Sequence, residues 1–187
     1  MIALPQAMPF IRIGASSLAL CQADWLTETL TNATRGTDVP PWMAEDISRG
    51  VESFLTKHYK GSVIDSDELF ERIEKTLSNL GLSRVAENID KTPPPVRISL
   101  SELARRAGEG YELAFFALLG DQLRSAASGG AHRVECHGLK TCVRRLSSAR
   151  KYSSRCRKLE GEIKEFVDST QHLVERALPE VEMLIAS

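Results

Sequence analysis

No stretch of this 187-residue chain is apolar for long enough to cross a bilayer as a helix, which takes about 20 predominantly apolar residues. Basic residues are missing from its start, and Pro5, Pro9 and Arg12 interrupt the apolar residues there. No secretory leader is therefore expected, although Leu18-Ala19-Leu20-Cys21 has the outline of a lipoprotein cleavage box. A cytoplasmic setting follows, in which the four cysteines are reduced. The chain also lacks a P-loop, a Gly-rich dinucleotide fingerprint and a metalloprotease helix. Cys136, His137, Cys142 and Cys156 lie close in sequence, but no C-x-x-C knuckle is present, so they are expected as core thiols rather than zinc ligands. The four histidines, His58, His132, His137 and His172, join no nucleophile signature. Repeats and low-complexity segments are not evident. No catalytic residue and no metal site are assigned.

Charge is present in abundance and is unevenly placed. The formal net charge is −1, yet residues 1–90 carry eight Lys/Arg against thirteen Asp/Glu and residues 91–187 carry sixteen against twelve. The two halves also differ in texture, and Lys91-Thr92-Pro93-Pro94-Pro95 stands between them. Consecutive prolines favour a stiff, extended chain, so residues 91–96 read as a linker between a unit over 1–90 and a second over 97–187. The fold expected is mainly α, an α+β chain with a few short strands.

In the first half, Phe10-Ile11-Arg12-Ile13 and Leu18-Ala19-Leu20 read as short strands about a turn at Gly14. Asp24 is placed to cap a helix bearing Trp25, Leu26, Leu30 and Ala33. Met43, Ala44, Ile47, Val51, Phe54 and Leu55 recur at steps of three and four and predict an amphipathic helix begun by Pro41. Val63-Ile64 form a brief apolar run. Asp65 and Glu68 then have capping-box spacing before a helix whose buried stripe is Leu69, Ile73, Leu77 and Leu80, closed by Gly81. Ser83 starts a short helix with Val85, Ala86 and Ile89.

The order Ile47, Val51, Leu55, Val63-Ile64, Leu69, Ile73, Leu77, Leu80-Gly81, Val85-Ala86 resembles the ATP-cone, a small nucleotide-binding regulatory module of ribonucleotide reductases and of the bacterial repressor of their genes. The resemblance covers residues 10–90. It implies a hairpin ahead of a helical bundle, and ATP or dATP as ligand, with Arg12 and Gly14 at the hairpin positions that hold phosphate. The family's basic pair and acidic residue are otherwise replaced by Ile11 and Ile13, and Ala23-Asp24-Trp25 occupies a further basic position. Phosphate needs positive charge or aimed N–H groups, so the cone here is degenerate: a weakened nucleotide sensor or a protein-interaction scaffold.

After the prolines, Arg97–Gly110 reads as a helix capped by Ser99 or Ser101, similar to the first helix of a helix-turn-helix. The next segment, with Tyr111, Leu113, Phe115, Phe116 and Leu119, is too apolar for a groove-reading helix and belongs in a core. His132–Cys136 alternates as a strand, and one long helix is predicted from Leu139 to Phe166, its basic part at 139–160. On that helix Lys140, Arg144, Lys151, Arg155 and Lys158 fall on one flank, opposite Cys142, Leu146, Ala149 and Cys156. Such a stripe suits a nucleic acid or an acidic protein; the alternative is that residues 159–187, with seven acids and two bases, fold back over it. The tail reads as a helix, a break at Pro179 and a last amphipathic turn, which docks on the core or pairs with another copy. The function expected is a non-catalytic regulatory protein with a degenerate ATP-cone-like domain; the alternative is a nucleic-acid-binding protein that uses the basic face.

Overall fold

A computed structural model describes residues 8–186. The chain is mainly α with a few short strands: among the described residues there are eight helices and six strands. It divides into two compact units, one of residues 1–13 and 18–94, the other of residues 14–17 and 95–187. No helix in the described residues is long and apolar enough to cross a membrane.

The first unit contains β1 (Phe10–Ile13), β2 (Ser17–Leu20), α1 (Ala23–Thr34), α2 (Pro41–Lys57), β3 (Val63–Asp65), α3 (Ser66–Asn79) and α4 (Ser83–Glu87). Its sheet runs β2-β1-β3, and β1 and β3 are parallel, with Ile11 opposite Ile64 and Arg12 opposite Asp65. Alternation along β1 buries Ile11 and Ile13 and leaves Arg12 outside. The buried residues then collect from every element: Leu26 and Leu30, Leu55, Ile64, Leu69, Phe70, Ile73, Leu77 and Val85. Trp25 meets Phe70 edge to face at 6.0 Å between ring centres.

Three expectations about this unit change. Asp24 lies inside the first turn of α1, where its charge favours the helix dipole, and Gln22 holds the cap position. Asp65 does occupy the cap position of α3, but its carboxylate makes no capping bond because Arg12 takes both oxygens. Leu80 is 61% exposed and is the cap residue beyond the stripe. Gly81 closes the helix as expected, at φ +78°, with Leu82 N–H donating to Leu77 O and Gly81 N–H to Ser78 O.

The second unit contains β4 (Val96–Ser99), α5 (Leu100–Ala107), α6 (Glu112–Ser128), β5 (Arg133–His137), α7 (Leu139–Leu146), α8 (Ser154–Glu175) and β6 (Glu182–Ile185). The three strands pair in parallel in the order β4-β5-β6. Val96, Ile98, Val134, Cys136 and Met183 point inward, toward a core with Leu100, Phe115, Leu119, Leu123, Leu146, Leu159 and Ile163. The other face carries an ion ladder across all three strands. Arg97 pairs with Glu135 at 3.3 Å, Glu135 with Arg133 at 3.2 Å, and Arg133 with Glu182 at 3.5 Å.

This unit is a structural repeat, which its sequence does not announce. A strand, an eight-residue helix and a long helix occur twice in succession. The buried Leu100, Leu103 and Ala104 of α5 answer to Leu139, Cys142 and Val143 of α7, and each short helix ends on an arginine pair, Arg105-Arg106 and Arg144-Arg145. The single helix expected over 139–166 is two: residues 147–153 separate α7 from α8, and Ser153 Oγ caps α8 by accepting from Cys156 N–H at 3.4 Å. The tail is different again. α8 continues through Gly161 to Glu175, and the expected last turn is the strand β6. Gln171 fixes that strand, its Oε1 accepting from Met183 N–H at 2.6 Å and its Nε2 donating to Val181 O at 2.8 Å.

Replacing Glu135, whose side chain is 15% exposed, takes the shared partner from two arginines at once. Glu135→Ala is expected to cost about 1 kcal/mol, a sum of two partly exposed ion pairs. Urea denaturation at low and high salt checks this; equal stability of the two proteins at low salt would remove the ladder's role.

Candidate anion-binding surfaces

Two places in the chain are candidates for holding an anion: the hairpin of the first unit and the basic segment of the second. At the hairpin, Arg12 is not free. Its Nε donates to Asp65 Oδ1 at 2.5 Å and its Nη2 to Asp65 Oδ2 at 2.8 Å, a two-pronged pair across the β1–β3 register. The bond holds the Asp65 carboxyl below the usual carboxylate range and raises the arginine further. Among the described residues of β1, β2 and their turn, Arg12 is the only cation. Gly14 lies just beyond it at φ +55°, a backbone state that accounts for a glycine there. Between α2 and α3, Val51, Phe54, Leu69, Ile73 and Leu80 line an apolar cavity of about 660 Å³.

The break at residues 147–153 separates the five cations predicted to share one flank. Lys140 and Arg144 are on α7, Lys151 is in the connecting loop, and Arg155 and Lys158 are on α8. Arg155 pairs with Glu112 at 2.9 Å and Lys158 with Glu162 at 3.6 Å. Lys140 borders another hollow with Glu160, Lys164 and Asp168. Arg144 instead joins Arg145 and Arg150, two residues that helical spacing alone does not single out, around a concavity of about 350 Å³ also lined by Glu109, Thr141 and Ser148.

The concavity is built by the way α7 ends. Ala149 N–H donates to Arg144 O at 2.9 Å and Ser148 N–H to Arg145 O at 3.0 Å, closing the helix with Ser148 in the left-handed position, φ +49°. The Arg144 guanidinium then reaches over the turn, its Nη2 donating to Arg150 O at 3.2 Å. From the other repeat, Gly110 N–H donates to Leu146 O at 3.2 Å and brings Glu109 to the rim. Arg145 stands close enough to α5 to help Arg105 and Arg106 hold the Glu102 carboxyl low. Arg144, Arg145 and Arg150 are exposed, and none makes an ion pair among the described residues.

The thiols belong to the core. Cys21, Cys136, Cys142 and Cys156 are free and buried, and burial pushes Cys136 and Cys142 up to about 12 and Cys21 to about 11. Cys156 is held below its ordinary value by the Ser153 hydroxyl. Among the described residues no three His, Cys, Asp or Glu side chains converge as metal ligands. No family model, curated protein or solved structure matches this chain.

Two outcomes follow. Ser148→Gly relieves a left-handed residue and is expected to raise unfolding stability by about 1 kcal/mol in urea; no gain would mean that the turn carries no strain. Iodoacetamide at pH 7.5 is expected to leave Cys136 and Cys142 unmodified in the native protein and to label them on unfolding, as peptide mass mapping would show.

Proposed function

We infer that this chain is a non-catalytic regulatory protein whose first unit is a degenerate ATP-cone-like module kept as a protein-interaction scaffold. The hairpin followed by four helices supports the family resemblance. The observation that carries the scaffold reading is the Arg12–Asp65 pair: the one hairpin cation already has a carboxylate on both of its prongs, so a phosphate would have to displace Asp65. The apolar hollow between α2 and α3 offers a partner protein, or a second copy, a surface of another kind. A cytoplasmic setting suits the four free thiols. ATP and dATP are expected to shift the melting temperature of the wild type and of Arg12→Ala equally. Stabilisation of the wild type that Arg12→Ala abolishes would show that the hairpin still holds phosphate, and would overturn the scaffold reading.

A second reading, binding to the phosphate backbone of nucleic acid, is favoured by the placement of unpaired cations. Arg144, Arg145, Arg150 and Lys151 lie together on α7 and the turn that follows it, while Arg155 and Lys158 have partners. Contact through three or four of these charges gives a log–log salt slope of roughly −3 to −4. Fluorescence anisotropy of a labelled duplex over a salt series measures it; a slope near zero, or no binding at low salt, would dispose of this reading.

A further inference from the structure

We propose that the concavity between the ends of α5 and α7 is a phosphate-binding site, in which Arg144, Arg145 and Arg150 supply the charge and Thr141 and Ser148 the hydroxyl donors. It rests on the nucleic-acid reading only for the source of the phosphate.

Three features of the concavity point to this ligand. The first is its charge, three guanidinium groups against the single carboxylate of Glu109. Five other arginines of the unit pair with carboxylates, Arg97 and Arg133 with Glu135, Arg105 with Glu102, Arg124 with Asp121 and Arg155 with Glu112; Arg106, Arg157 and Arg176 make no ion pair among the described residues, but none of them lines the concavity. Three exposed arginines that converge on one carboxylate leave positive charge in excess, and an anion between them removes their mutual repulsion.

The second is preorganisation. Arg144 is tied to the turn through both its carbonyl and its guanidinium, so the backbone that presents Arg150 is fixed before any ligand arrives. The third is Ser148. Its position in the helix closure favours glycine, as Gly81 illustrates at the equivalent place after α3, yet a serine stands there at φ +49°. Ser148 lines the concavity, and its hydroxyl makes no hydrogen bond among the described residues. A strained residue at a lining position is the pattern of a side chain retained for contact with a ligand.

The donor set favours a tetrahedral oxyanion such as phosphate over a carboxylate. Guanidinium groups and hydroxyls approaching from α7 and from the turn match an ion with several acceptor oxygens directed apart, which a planar carboxylate lacks. The lining has no aromatic ring on which a base would stack, so recognition stops at the phosphate. Glu109 sets the affinity from the opposite side, as a like charge at the rim.

The test uses the full chain, the double variant Arg145→Gln/Arg150→Gln, and the single variants Glu109→Gln and Ser148→Gly. Sodium pyrophosphate is titrated at constant ionic strength against the melting temperature, and a short labelled duplex is titrated by anisotropy. Pyrophosphate is expected to stabilise the wild type and not the double variant. Affinity for pyrophosphate should tighten about three-fold in Glu109→Gln and weaken about three-fold in Ser148→Gly, although the latter protein is the more stable one. A gain of affinity in Glu109→Gln cannot come from misfolding, and it keeps the result readable if the double variant folds poorly. Duplex affinity should fall about ten-fold or more in the double variant. The proposal fails if pyrophosphate does not stabilise the wild type, or if it stabilises the double variant equally. Stabilisation by pyrophosphate without duplex binding keeps the site and removes the nucleic-acid reading. Duplex binding of unchanged strength in the double variant removes the site and leaves that reading to the remaining cations.

Discussion

Parallel strands cannot be joined by a tight turn, and most of this structure follows from that constraint. Wherever β4, β5 and β6 pair, the chain between them must leave the sheet, travel back along it and re-enter in the same direction. Two helices fill each return, a short one leaving the strand and a long one coming back. The short helix is therefore forced to end away from the strands, and it does so twice, side by side. The ends of α5 and α7 meet there, and with them the arginines of the last turns. A positive charge at a helix C-terminus is favourable to that helix alone, so the pairs have a local rationale. Their convergence is a property of the repeat.

The two units handle cations in opposite ways. In the first, β1–β3 pairing sets Arg12 directly opposite Asp65, and the two side chains close on each other across the ladder. In the second, the ladder face consumes Arg97 and Arg133 in the same fashion through Glu135 and Glu182, while α7 and its closing turn keep three arginines outside any such pairing. Positive charge is thus available at the end of a helix and withdrawn from both sheets. Strand register decides it: residues on one sheet face are held close to partners of fixed identity, whereas residues in a helix-closing turn project outward.

Much of this was legible in the residues. Periodicity places α2 and α3, the glycine at 81 closes α3, alternation places β1 and β5, and the three prolines fall at the change from one unit to the other. The differences have separate physical causes. Val96–Ser99 alternates as a strand should and Glu182–Ile185 is a brief apolar run, but four residues is too short a stretch to outweigh neighbouring helical spacing. The helix over 139–166 keeps its apolar period through residues 147–153, and only the serine pairs at 147–148 and 153–154, one ending α7 and the other starting α8, betray the gap. Arg150 was not legible as a partner of Arg144 because its approach depends on a left-handed turn at a serine, a state that residue type alone does not suggest. The Asp65 capping reading failed for a different reason: a local hydrogen bond lost to a charged partner 53 positions away in sequence.

The last strand also governs how the molecule is made. β6 is the third member of a sheet whose other two strands are complete some forty-five residues earlier, and it is pinned by a side chain, Gln171, from the helix just before it. During synthesis the open flank of β5 and the inward face that Met183 later covers stay bare until residues 182–185 emerge from the ribosome. A chain in that condition offers an unpaired edge to any extended segment nearby until β6 completes the sheet.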